Sequence, residues 1–114
     1  MKWFVGRFKY AFSGLYYALK DKSIFLQFLF ACLVILAGIY FRLSLVEWLL
    51  VILCITLVLV LEILNSCIEH LVDYISLDRN ENAKRIKDMA AAAVFLVSFF
   101  SLLIGLFVFI PKLL

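Results

Sequence analysis

The sequence is short of charge, proline, glycine and histidine. Charged residues make up 17% of its 114 positions, where an ordinary soluble domain carries about 25%. One proline and four glycines leave no flexible linker and no low-complexity run. The three cysteines, Cys32, Cys54 and Cys67, have no C-x-x-C spacing and all sit in apolar stretches, which excludes a disulfide scaffold and points to buried, inert thiols. Phosphate-loop and dinucleotide glycine motifs are absent, as is any order of Ser, His and Asp suited to a hydrolase. What is abundant is apolar surface, at 68% of residues. A chain this short cannot hide that much in its own core, because small domains have a high ratio of surface to volume. The surplus must face lipid or partner subunits. A soluble monomeric enzyme and a disordered tail are excluded, and the net charge of +3 reads as membrane orientation rather than nucleic-acid binding.

Three apolar segments, residues 24–41, 43–61 and 89–110, are each near the ~20 helical residues that a hydrocarbon core of ~30 Å requires. The second carries one charge, Glu47, placed at an interface beside Trp48. The first has no cleavage site after it and is followed by two more spans, so it is not a signal peptide. Residues 1–22 have helical apolar spacing, with Phe4, Phe8, Phe12 and Leu15 on one stripe, and predict an amphipathic helix lying in the membrane interface. The short connection around 42–45 makes spans one and two an antiparallel hairpin, and Pro111 is expected to end the last helix. Nine of the eleven Lys and Arg residues flank the N-terminal side and the connection between spans two and three, against Arg42 and Lys112 on the other side. That bias places the N-terminus and residues 62–88 in the cytoplasm and the C-terminus outside. The expected fold is an all-α membrane protein forming one domain over 1–114.

The chemistry concentrates in residues 62–88. At ~100° per residue, Glu69 lies about 20° to one side of Glu62 and Asp73 about 20° to the other, with Asn65 and Ser66 near the same face. One helix therefore carries a polar column roughly 16 Å long, comparable to an extended nucleoside triphosphate. Carboxylates at membrane depth are costly and default to function. Glu62 is the deepest and suits a general base. Glu69 and Asp73 lie nearer water and suit a hard divalent cation such as Mg²⁺, which takes one or two carboxylates and keeps phosphate oxygens and waters. The bland alternative is a column that only pairs with Lys84, Arg85 and Lys87. Lys84, Lys87 and Asp88 share a face at the start of the third span, where a helix N-terminus and a lysine favour phosphate. His70 lies off the column's centre, and an interfacial or packing role outweighs a metal role.

The run Glu62-Ile-Leu-Asn65-Ser-Cys-Ile-Glu69-His-Leu-Val-Asp73, followed by Ala83-Lys-Arg-Ile-Lys87-Asp88-Met-Ala-Ala-Ala-Ala-Val94, resembles the prokaryotic diacylglycerol kinase and undecaprenol kinase family over nearly the whole chain. The resemblance implies a homotrimeric bundle in a bacterial cell membrane, with active sites shared between subunits. It implies transfer of the γ-phosphate of MgATP to a lipid hydroxyl. Carried over by position, Glu62 and Asn65 are catalytic. Glu69 holds metal, and Asp73, Lys87 and Asp88 join it in binding ATP. Tyr10 and the loop Asp78-Arg79-Asn80 fall on the ATP side. One departure stands out. The family has a second metal-binding glutamate eight residues after the glycine matching Gly14, where this chain has Lys22. Asp21 is the only other acid in the N-terminal segment and the candidate replacement. Leu45-Val-Glu47-Trp48 and Phe109-Ile-Pro111-Lys112 resemble Gram-positive members and favour undecaprenol over diacylglycerol. Two other classes stay open: a small proton-coupled transporter subunit with Glu62 as carrier, and a non-catalytic relative of the kinases.

Overall fold

A computed structural model describes residues 2–76 and 80–114, and every described segment of regular structure is helical. The order is α1 Lys2–Lys20, α2 Lys22–Phe41, α3 Leu45–Ile75 and α4 Glu81–Leu113. The last three are long and apolar enough to cross a membrane, so the expected all-α membrane architecture is borne out.

α1 has no buried residue. Its Phe4 and Phe8 rings meet edge to face with centroids 4.9 Å apart, and the Arg7 guanidinium sits 4.2 Å from the centre of the Trp3 ring. The surface helix is shorter than the expected 1–22. It stops at Lys20 because Asp21 is extended (φ −72°, ψ 122°) and caps α2, its Oδ1 accepting from the Ser23 N–H at 3.0 Å. Asp, with a short polar side chain, is a favoured cap for that reason.

The α2–α3 hairpin is fixed by local chemistry. Arg42 takes the left-handed conformation (φ 56°). Its N–H donates to the Ile39 carbonyl at 3.3 Å and the Leu43 N–H to the Gly38 carbonyl at 3.2 Å. This pair closes a helix C-terminus as a Schellman motif. At the next residue, Ser44, a capping box starts α3. The Glu47 N–H donates to Ser44 Oγ at 3.2 Å, and the Ser44 N–H donates to Glu47 Oε1 at 2.9 Å. The second span therefore begins at Leu45, two residues after the expected start. Leu43 belongs to the turn and is buried there beside Val51 and Val108, against Trp48, Ile104 and Phe109. The same Glu47 pairs with Lys112 at 3.1 Å, tying the start of α3 to the end of α4.

Two further expectations are corrected. Pro111 lies inside α4, which continues to Leu113. A proline so near a helix end forfeits one late hydrogen bond, and the Leu114 N–H still reaches the Ile110 carbonyl at 3.3 Å. Cys32 and Cys67 are exposed rather than buried, and Cys54 is half-buried; all three are free. Only Ile24, Ala31, Leu43, Val51 and Val108 are buried apolar residues among those described, so the spans turn most of their side chains outward. Lipid or further subunits must cover them. Between α2 and the α3–α4 pair runs an apolar groove of about 630 Å³, lined by residues such as Phe30, Val58 and Leu102, with Gln27, Ser98 and Ser101 its polar side chains.

Candidate functional site

α3 does not stop where its apolar run ends. It continues through Glu62 to Ile75, carrying Glu62, Asn65, Glu69 and Asp73 on one helix. Asn65 Nδ2 donates to Glu69 Oε1 at 3.2 Å, one turn along. Asn65 Oδ1 is inaccessible to solvent and accepts no hydrogen bond among the described residues, and such a buried acceptor is costly when left unmet. Glu62 is half-buried, and the carboxylates acting on it through charge are Asp21 and Glu69. Asp21 arrives from the α1–α2 break. Its Oδ2 accepts from Ser66 Oγ at 2.9 Å, so the only N-terminal acid is attached to the face that carries the column.

α4 supplies the cations. Its start is set by Asn80, whose Oδ1 accepts from the Ala83 N–H at 2.7 Å and whose Nδ2 donates to Ser76 Oγ at 2.9 Å. Lys87 pairs with Asp73 across the two helices, joining the column to α4. Lys84 pairs with Asp88 at 2.7 Å along α4, and Arg85 with Glu81 at 3.5 Å. Lys84 lies below the apolar run that begins at Met89.

Of the expected site residues, the structure brings together Glu62, Asn65, Glu69 and Asp73, with Asp21 against one side and Lys87 against the end. Asp88 is engaged by Lys84. Tyr10 is on α1 and 77% exposed, and no hydrogen bond or ring contact links it to α3 among the described residues. Asp78 and Arg79 lie outside the described residues. Asn80 is occupied as a cap, a role the resemblance did not imply. Lys22 is exposed at the first position of α2 and forms no ion pair among the described residues. Removing the cap should show directly: Asn80→Ala is expected to lower stability by about 1 kcal/mol while Asn80→Asp keeps it. Thermal unfolding in detergent measures this, and an unchanged midpoint in the alanine variant would refute the capping role.

No group of three or more His, Cys, Asp or Glu side chains converges as a metal cage among the described residues. Mg²⁺ needs no such cage, since one or two carboxylates suffice when phosphate oxygens and waters complete its shell. The donor set here fits that pattern. Glu69 is a hard oxygen donor on α3, and Asp21 is a second one, tied to Ser66 three residues before Glu69.

The family model for prokaryotic diacylglycerol kinase matches residues 9–109, a stretch that holds every candidate site residue. The chain belongs to that family. It is a membrane lipid kinase. Among the curated relatives of this diacylglycerol kinase family protein, the undecaprenol kinase of Bacillus subtilis (strain 168) is 43% identical over 83 residues, covering 73% of this chain and 68% of that one. The diacylglycerol kinase of Haemophilus influenzae is 37% identical over 89 residues, covering 77% and 75% respectively. Sequence reasoning missed the Ser66–Asp21 bond. Helical spacing places Ser66 near the polar face, but its partner is the Asp21 cap 45 positions away, and no local pattern announces it.

Proposed function

We propose that the chain transfers the γ-phosphate of MgATP to the hydroxyl of a polyprenol of the undecaprenol type, with diacylglycerol the second acceptor. The observation that carries this reading is the polar column of α3 closed at its end by Lys87 of α4. Glu62 takes the hydroxyl proton of the lipid. The freed oxygen bonds to the γ-phosphorus, the bond to the β–γ bridging oxygen breaks, and ADP leaves. Asn65 holds Glu69 in place, its Nδ2 donating to Glu69 Oε1. Glu69 and Asp21 hold Mg²⁺, whose chemistry is to offset phosphate charge. Asp73, Lys87 and Asp88, with Tyr10 and the loop from Asp78 to Asn80, form the ATP side. Lys87 acts there as a point charge on phosphate. The working form implied by the family resemblance is a homotrimer with shared sites, and the Lys and Arg bias puts its column on the cytoplasmic side. The Gram-positive-like segments and the undecaprenol kinase relative favour the polyprenol.

The test uses purified protein, Mg²⁺, γ-labelled ATP, and undecaprenol or diacylglycerol in mixed micelles. Labelled lipid is expected, more of it from undecaprenol. Proton-coupled flux in vesicles without labelled lipid would instead identify a transporter, and neither result would identify a non-catalytic relative. Metal dependence is a separate check. Asp21→Asn is expected to raise the Mg²⁺ needed for half-maximal rate, and Lys22→Glu to lower it. Like charges 4 Å apart cost on the order of 4 kcal/mol at an effective dielectric near 20, so a lysine beside a cation site is unfavourable. Its flexible stem lets the ammonium swing to the headgroups, which softens that cost. If Asp21→Asn leaves the Mg²⁺ dependence untouched while Lys22→Glu switches on a silent protein, the natural chain is not an active kinase.

A further inference from the structure

Ser66 lies on the polar stretch of α3, four residues after Glu62 and three before Glu69. A serine inside a helix commonly turns its hydroxyl back to a carbonyl one turn earlier. Thr56 does so, donating to the Ile52 carbonyl at 2.8 Å. Ser66 instead donates outward, at 2.9 Å, to a carboxylate 45 positions away in sequence, and the bond is partly buried. The recipient is Asp21, the residue at which α1 ends and α2 begins. Its two oxygens are each held by a donor from a different helix, Oδ1 by the Ser23 N–H of α2 and Oδ2 by Ser66 of α3. A carboxylate held at both oxygens has its plane fixed, and each oxygen keeps a second lone pair. The neighbouring Lys22 offers no oxygen. Fixing Asp21 against α3 therefore brings a carboxylate from outside that helix to the column, three residues before Glu69 at Ser66.

We infer that Ser66 is a positioning residue that holds the Asp21 carboxylate against the α3 column for divalent-cation binding. This rests on the reading of Asp21 given under Proposed function. Without the hydroxyl, Asp21 keeps only its cap bond to Ser23 and its carboxylate is free to turn away. Groups that orient a metal ligand typically contribute 10–100-fold in affinity when removed.

The test is Mn²⁺ binding by the full chain in detergent with a non-hydrolysable ATP analogue supplying the phosphate oxygens and no lipid, read from the electron paramagnetic resonance of free Mn²⁺ against a protein-free control with the same analogue. Ser66→Ala is expected to weaken Mn²⁺ binding about tenfold. Ser66→Thr, which keeps the hydroxyl, should bind like the natural chain. Ser66→Cys keeps the volume but is a weak donor, so it should lose affinity as alanine does and serves where the alanine variant fails to fold. Asp21→Asn should weaken binding as well, and Asp21→Asn combined with Ser66→Ala should weaken it no further than Asp21→Asn alone. If Asp21→Asn weakens Mn²⁺ binding while Ser66→Ala and Ser66→Cys do not, Ser66 is only a structural tether and this inference fails alone. If Asp21→Asn leaves Mn²⁺ binding intact, the metal role of Asp21 fails and the role of Ser66 with it.

Discussion

Glu62→Gln is expected to lower kcat by about 10²-fold or more, with the KM for ATP little changed. Removing a proton acceptor costs the transition state and leaves ground-state binding largely intact. Glutamine matches the size of glutamate, and Glu62 makes no ion pair among the described residues, so the half-buried site on α3 should stay packed. Steady-state kinetics with undecaprenol in micelles measure both constants. Near-natural turnover would remove Glu62 from its proposed role. The same variant tests sharing between subunits. Mixed with Lys87→Ala chains, it should regain some activity if one intact Glu62 and one intact Lys87 from different chains complete a site. Mixtures as inactive as their parents would confine each site to a single chain.

Gly38→Leu is expected to destabilise the protein by roughly 3 kcal/mol, at the high end for a small-to-large change. A Cβ at Gly38 would lie 2.7 Å from Trp48 Cη2 and 3.0 Å from Leu43 Cδ1. Both contacts are too short for an added side chain unless the neighbours shift. Trp48 is held in the first turn of α3 by the capping box, and Leu43 is buried in the turn core. The site lies at the other end of α3, so the kcat of the folded fraction should be unchanged. Thermal unfolding beside activity per folded molecule distinguishes this from Glu62→Gln, which should do the reverse. A Gly38→Leu protein as stable as the natural one would mean that the hairpin can open without cost.

The spans, the hairpin and the stacking of Glu62, Asn65, Glu69 and Asp73 were legible because they are periodic, and periodicity is a local property. The resemblance to the lipid kinases was legible because its motif lies within two adjoining helices. Contacts between distant positions were not. The Glu47–Lys112 and Ser66–Asp21 pairs depend on how the helices meet, and no spacing rule encodes that. Helix ends were misjudged where one side chain decides the matter. Asp21 caps α2 rather than extending α1, Ser44 and Glu47 move the start of α3 past Leu43, and Pro111 fails to stop a helix already in its last turn. The expectation of buried cysteines failed for a different reason, since it applied the logic of a soluble core to helices whose outward faces are apolar.

The two ion pairs that join α3 to α4 lie at opposite ends of both helices. At 1.5 Å per residue, Glu47 and Asp73 stand roughly 39 Å apart along α3, and Lys87 and Lys112 roughly 38 Å apart along α4. The intervals match to within about one residue's rise. The helices therefore mesh like two rulers pinned at both ends of the same scale. Sliding one past the other by a turn would break both pins together, so the depth of Lys87 relative to Glu62 is set in part by a contact on the far side of the span. A catalyst whose lipid substrate is confined to a plane depends on holding that depth.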